Sequence, residues 1–132
     1  MMAYVWIAIG GALGSVARYW FSGVVGRHFG ETFPWGTLLV NVSGSLAIGI
    51  LAGLAEPGGR RFVGPTARQF LMYGVCGGYT TFSSFSLQTL ELARDGDWFK
   101  AGANATGSVA LCLVGVWLGY AVGLGFNTGK GA

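Results

Sequence analysis

Four stretches of this chain are each long enough to cross a membrane and carry almost no charge. They cover residues 3–25, 35–55, 69–90 and 101–129, and Arg18 is the only Asp, Glu, Lys or Arg within them. A spanning helix needs roughly 20 predominantly apolar residues. The sequence therefore predicts an all-α integral membrane protein, with four transmembrane helices that form a single domain over residues 1–132.

The composition fits a chain whose main solvent is lipid. Charged residues make up 10% of the chain, against about 25% in a typical soluble domain. Most of the 25 glycines fall inside the apolar stretches, where small residues let helices approach closely. The net charge of +3 comes without a basic run, so no nucleic-acid partner is expected. No basic residue precedes the first apolar run, so it does not resemble a signal peptide.

Basic residues in the connectors set the orientation of a membrane protein, and here they are almost evenly divided. An even number of spans puts both termini on one side. That side has four basic residues, Arg60, Arg61, Arg68 and Lys130, and the other has three, Arg27, Arg94 and Lys100. The count leaves open whether the chain inserts in one orientation or in both.

The third stretch contains residues that disfavour a continuous helix. The adjacent glycines Gly77 and Gly78 are followed by the β-branched Thr80 and Thr81, and both residue types have low helix propensity. A break between Gly77 and Thr81 would free backbone carbonyls, which is tolerated at membrane depth only beside protein or an aqueous cavity. Such carbonyls are suitable ligands for a small cation. The alternative is an intact helix with a glycine packing contact.

Aromatic and hydroxyl side chains follow the predicted break. Phe82, Phe85 and Thr89 share one helical face. Ser83 and the break residue Thr81 lie nearby and are further candidates to line a pore. An aromatic ring has a positive edge, so two rings could hold an anion without a formal charge. Most phenylalanines in membrane helices instead face lipid or core, and that alternative stays open.

The second stretch carries a polar stripe, and the first carries the one charge. Thr37, Asn41 and Ser45 recur at every fourth residue, and a buried amide such as Asn41 needs hydrogen-bond partners. Asn41 is either a pore-lining donor or part of a hydrogen bond between helices. Arg18 either extends to the membrane interface or binds loop carbonyls near a pore mouth.

The fourth stretch combines polar residues with glycines. Asn104, Ser108 and Cys112 lie along one slowly drifting face, and Gly115 and the glycines after it fit close packing against a neighbouring helix. Cys112 and the other cysteine, Cys76, are expected to be free thiols.

The absence of certain residues narrows the function. None of the four stretches contains Asp or Glu, although proton-coupled transporters usually need an intramembrane carboxylate. No nucleophile–base pair or metal-ligand cluster indicates an enzyme. A passive pathway for an anion, lined by neutral donors, remains.

Three motifs in order resemble the Fluc (CrcB-type) fluoride channels over nearly the whole chain. They are Gly-Gly-x-x-Gly-x-x-x-Arg-Tyr from Gly10, Gly-Thr-Leu-x-Val-Asn-x-x-Gly from Gly36, and Gly-Gly-Tyr-Thr-Thr-Phe-Ser-Ser-Phe-Ser from Gly77. The resemblance implies an antiparallel, dual-topology homodimer in a bacterial inner membrane, with two pores that passively release cytoplasmic fluoride. It leaves open a pair with a second, related chain.

The resemblance also assigns roles to residues at matching positions. It makes Phe82 and Phe85 the pore phenylalanines and Asn41 the pore asparagine, with Thr37 and Ser108 in the polar track. It implies that Gly77 and Thr80 lend backbone carbonyls to a structural Na⁺ at the dimer centre. The chain departs from the family pattern at three positions: Asn104, where some members have tyrosine; Cys112, where some have serine; and Gln88, where glutamate is common.

Two other functions compete with the channel. A small dual-topology cation or drug exporter would need a membrane-embedded carboxylate, which the sequence lacks. A membrane assembly subunit without transport activity would explain the glycines but not the set of Asn41, Phe82, Phe85 and Ser108.

Overall fold

The computed structural model describes residues 1–59 and 63–129, and all regular structure within them is helical. Arg60, Arg61 and Lys130, which enter the basic-residue count, lie outside the described residues. In chain order the helices are α1 (Met2–Phe29), α2 (Trp35–Leu54), α3 (the consecutive pieces Pro65–Arg68, Gln69–Cys76 and Gly77–Tyr79), α4 (Phe82–Arg94) and α5 (Trp98–Thr128).

The helices differ in whether their length and apolar character suffice to cross a membrane. Within the described residues, α2 and α5 alone are long and apolar enough to do so as single helices. α1 has 28 residues, or about 42 Å at 1.5 Å per residue, but is less apolar. α3 and α4 are each shorter than a span and together occupy the predicted third stretch. Four spans therefore remain a prediction from sequence.

The predicted break in the third stretch is confirmed, and the threonines carry it. Thr80 and Thr81 are both extended, with ψ angles of 156° and 110°. Gly77 and Gly78 stay helical. A Cβ added at Gly78 would lie 2.5 Å from the Gly11 carbonyl oxygen. The glycine therefore serves close packing against α1, as in the alternative stated above, while the break follows it.

Glycines bring α2 and α5 into backbone contact along a surface we call the glycine seam, formed by Gly49, Gly53, Gly119 and Gly123. A Cβ at Gly119 would overlap the Leu46 carbonyl oxygen, and one at Gly49 would overlap that of Val116. The predicted packing role of the α5 glycines is therefore confirmed.

α1 packs on α3 in the same way, although α3 has an unexpected winding. A Cβ at Gly10 would overlap the Phe70 carbonyl oxygen, and one at Gly74 would lie 2.9 Å from the Gly10 Cα. The middle piece of α3, Gln69–Cys76, is π-helical, a rare form often found at functional sites. This was not predicted, because the stretch is apolar nearly all round and its periodicity cannot report a change in hydrogen-bond register.

Candidate functional site

A cleft of about 360 Å³ opens beside the Thr80–Thr81 break, between α2, α4 and α5. It brings together most of the predicted site residues. Its polar and aromatic lining comprises Asn41, Ser45, Thr80, Thr81, Phe82, Phe85 and Ser108, together with Gly44, Gly77 and the thiols of Cys76 and Cys112.

Asn41 holds the broken backbone in place. Its Nδ2 donates to the Thr81 carbonyl oxygen at 3.0 Å, and its Oδ1 accepts from the Thr81 N–H at 2.8 Å. One amide thus satisfies both backbone groups of a residue that has left the helix. Of the two alternatives for Asn41, the structure shows the hydrogen bond between helices, since Asn41 of α2 binds the break that precedes α4. The amide also has a second N–H, and Asn41 lines the cleft.

Thr81 also starts the next helix. Its side-chain oxygen accepts from the Ser84 N–H at 3.1 Å, which is the contact of a helix N-cap. Ser83, another predicted pore residue, is exposed and does not line the cleft. Its Oγ lies 3.2 Å from the Thr81 Oγ1, so it touches the break from outside.

The two phenylalanines form one wall and the mouth of the cleft. Their ring centroids are 5.2 Å apart, with an angle of 56° between the planes. Phe85 is only 9% exposed, whereas Phe82 is 75% exposed. Of the two phenylalanines on the predicted shared face, Phe85 is therefore buried within this chain, and Phe82 is available to a neighbouring molecule.

Ser108 lines the same cleft as the two phenylalanines and belongs to a chain of buried and part-buried hydrogen bonds. Its Oγ donates to the Asn104 Oδ1 at 3.2 Å, and the Asn104 Nδ2 donates to the Thr89 Oγ1 at 2.8 Å. Thr89 in turn donates to the Phe85 carbonyl oxygen at 2.8 Å. The chain joins α5 to the helix that carries the aromatic wall.

Arg18 and Thr37 lie outside the cleft, beside a second cavity of about 500 Å³. The Arg18 Nε donates to the Gly78 carbonyl oxygen at 3.2 Å, and Ser15 donates to the same oxygen at 3.4 Å. Of the two alternatives for Arg18, the structure shows contact with a backbone carbonyl, although this carbonyl belongs to the helical Gly78 and not to a loop. Thr81 lines both the cleft and the second cavity, so the break is the partition between them.

The carbonyl oxygens of Gly77 and Thr80 lie where the helical hydrogen bonding is interrupted. In a continuous helix the N–H groups of Thr81 and Ser84 would donate to them, but these two groups donate to the Asn41 Oδ1 and the Thr81 Oγ1 instead. Carbonyl oxygens released from a helix are suitable neutral ligands for a hard cation. The residues therefore fit the cation that the resemblance implies.

Some residues of the site were missed from sequence. Cys76 was treated only as a buried thiol, yet it lines the cleft. It precedes Thr80 by four residues, and that spacing could have placed it on the same face. Asn104 was noted as a departure from the family pattern, but its bond to Thr89 crosses between helices and no local pattern predicts it.

Comparisons with known proteins match nearly the whole chain. The model of the family described as CrcB-like protein, Camphor Resistance (CrcB), matches residues 5–120. A protein of Opitutus terrae named fluoride-specific ion channel FluC is 61% identical over 132 residues, which is 100% of both chains. Proteins with the same name from Rhodospirillum rubrum and Methylocella silvestris are 56% and 54% identical, over 97% and 99% of this chain and 99% and 100% of theirs.

Proposed function

Because this chain belongs to the CrcB-like family, we propose that it is a fluoride-selective membrane channel that passively exports cytoplasmic fluoride. The relatives that match it end to end are named as channels specific for fluoride, so it is not an enzyme. The observation that supports this most is the cleft in which Asn41, Phe82, Phe85 and Ser108 meet.

The chemistry of the cleft suits a small, strongly hydrated anion. Asn41 and Ser108 bring hydrogen-bond donors, and the rings of Phe82 and Phe85 bring their positive edges. Among the residues that the structure describes, no Lys or Arg lines the cleft. Conduction requires binding weak enough for release, and a neutral lining does not hold the ion by a fixed positive charge. A negative interior potential drives an anion outward by about 2.3 kcal/mol per charge for each 100 mV.

Fluoride efflux from proteoliposomes tests this function. Vesicles that contain the purified protein and are loaded with potassium fluoride should release it when valinomycin is added, and matched vesicles loaded with chloride should not. Equal release of both ions would contradict selectivity. No release of either would favour the assembly-subunit alternative.

We also propose that the working form is an antiparallel homodimer with two pores, in a bacterial inner membrane. Phe82 is largely exposed in the single chain, as expected for a side chain that reaches a partner. The basic residues favour neither orientation. Two copies of the break that meet at a two-fold axis could enclose one Na⁺, with the Gly77 and Thr80 carbonyls as ligands from each copy. A Na⁺ there would have a structural role, because it would hold the carbonyl oxygens of the two copies together.

Accessibility of an introduced thiol tests the antiparallel arrangement. Ala132→Cys, in a background with Cys76 and Cys112 replaced, would be labelled with a membrane-impermeant reagent on intact cells. About half of the protein should react from outside. Labelling near zero or near completion would mean a single orientation. Asp95→Cys, in the exposed connector between α4 and α5, should give the complementary fraction.

A further inference from the structure

The buried hydrogen-bond chain next to the cleft has a direction. Ser108 has one hydroxyl proton, and it points to the Asn104 Oδ1 at 3.2 Å. The Asn104 Nδ2 donates to the Thr89 Oγ1, and the Thr89 hydroxyl donates to the Phe85 carbonyl oxygen. The three hydrogen bonds therefore run in one direction, from Ser108 to the Phe85 backbone, and the Ser108 proton is engaged with Asn104.

This direction decides what Ser108 offers to an ion. The Ser108 side chain lines the cleft, but with its proton given to Asn104 it presents only oxygen lone pairs there. Lone pairs repel an anion, whereas a hydroxyl proton would attract it. An ion in the cleft thus competes with Asn104 for one proton.

Asn104 is well placed to hold that proton. It is 2% exposed and Ser108 is 5% exposed, so solvent hardly reaches Asn104 and reaches Ser108 only from the cleft. Asn104 does not line the cleft itself. An uncharged side chain at this position can therefore affect an ion there only through Ser108 or through the wall formed by α4.

Resting on the proposed function, we propose that Asn104 is a positioning residue that competes with fluoride for the Ser108 proton and so sets the affinity of the pathway. A half-turn of the Asn104 amide exchanges its donor and acceptor ends. Asn104 then donates to the Ser108 oxygen, and Thr89 can donate to the turned amide in place of the Phe85 carbonyl. The Ser108 proton is released to the ion, and the amide keeps its partners.

The proposal predicts opposite effects for two substitutions at this position. Asn104→Leu keeps nearly the same shape but removes the competing acceptor, so fluoride should bind more tightly, with a half-saturating concentration about fivefold lower. Asn104→Asp offers only acceptor oxygens, so the Ser108 proton stays engaged and the half-saturating concentration should rise at least fivefold. A residue that only maintains the fold would not shift affinity in two directions.

The test measures fluoride affinity by the concentration dependence of efflux and by ¹⁹F NMR titration of the purified protein. The titration keeps the comparison possible for variants that do not conduct. The shift of the uncharged Asn104→Leu should disappear when Ser108→Ala is added, because the proton in competition is gone. The Asn104→Asp shift should shrink but not vanish, because its carboxylate also repels the anion directly. Thr106→Val is the matched control, since Thr106 is an exposed α5 residue whose hydroxyl bonds to Gly102 in its own helix.

The outcomes separate this proposal from the function on which it rests. If wild-type protein conducts no fluoride, the channel function itself fails. If it conducts but Asn104→Leu weakens binding, or if the leucine shift persists in the Ser108→Ala background, the competition for the proton is wrong. Should Asn104→Asp fail to fold, the leucine variant and its double mutant still decide the question.

Discussion

α2 and α5 meet in two different ways along their length. In the glycine seam a Cβ at Gly123 or Gly119 would overlap a carbonyl oxygen of α2. One α5 turn earlier, a Cβ at Gly115 would lie 3.3 Å from the Val42 carbonyl oxygen. One or two turns earlier still, Ser108 and Cys112 line the cleft. The two helices therefore touch through their backbones in the seam and begin to part at Gly115, towards the cleft.

The break fills the space that this divergence opens. Gly44 no longer faces α5, since a Cβ there would overlap the Thr80 methyl group. Three residues earlier, Asn41 binds the Thr81 backbone. The seam fixes the angle between the helices by contacts that tolerate no added atom, and the cleft is kept open by polar contacts that can exchange. Rigidity at one end and exchangeable hydrogen bonds at the other suit a pathway for ions.

The largest effect is expected from a bulky residue in the seam. Gly119→Val should prevent stable folding, at a cost of at least about 3 kcal/mol, because a backbone carbonyl cannot move aside as a side chain could. The measurement is the yield of monodisperse protein and its melting temperature. Gly107→Val is the control, since a Cβ at Gly107 meets nothing within 4 Å. Equal yields of the two variants would show that the seam is not tightly packed.

A charge at the break should abolish transport while leaving a folded protein. In Asn41→Asp, a carboxylate oxygen replaces the Nδ2 donor opposite the Thr81 carbonyl oxygen, and an anion now faces the fluoride path. We expect no efflux above that of empty vesicles. Gln88→Glu makes the same chemical change beside the second cavity, outside the cleft, and should conduct. Wild-type rates for Asn41→Asp would make Asn41 a packing residue only.

The aromatic wall should affect the rate more than the fold. Phe85→Ile or Phe82→Ile should slow fluoride efflux at least about tenfold, equivalent to about 1.4 kcal/mol in the barrier, because an aliphatic side chain lacks the positive ring edge. Size-exclusion chromatography should show unchanged assembly. Undiminished efflux in both single variants would remove the phenylalanines from the pathway.

The sequence predicted the α5 side of the seam and the break, but not the α2 side of the seam or how seam and break fit together. Apolar length and the spacing of Gly115, Gly119 and Gly123 sufficed for the packing, because backbone contact requires glycine regardless of the partner. The sequence predicted one break from Gly77 to Thr81. The structure divides this segment in two: Gly78 is helical and packs against α1, and the two threonines that follow are extended. The hydrogen bonds of Asn41 to Thr81 and of Asn104 to Thr89 each join two different helical segments. The periodicity within one segment cannot predict such pairs.

The smallest effect, and the one that tests the divergence most directly, is expected at Gly115. Its added Cβ would lie 3.3 Å from the Val42 carbonyl oxygen and 3.8 Å from the nearest atoms of Ser45 and Leu46, so α2 must yield by only a few tenths of an ångström. Alanine is also the better helix former, by about 0.5–1 kcal/mol. The two contributions oppose each other, so the melting temperature of Gly115→Ala should stay within about 4 °C of wild type. Gly119→Ala, with no such room, should lower it clearly further. Equal losses for both would mean that the seam continues to Gly115 and that the helices do not begin to part there.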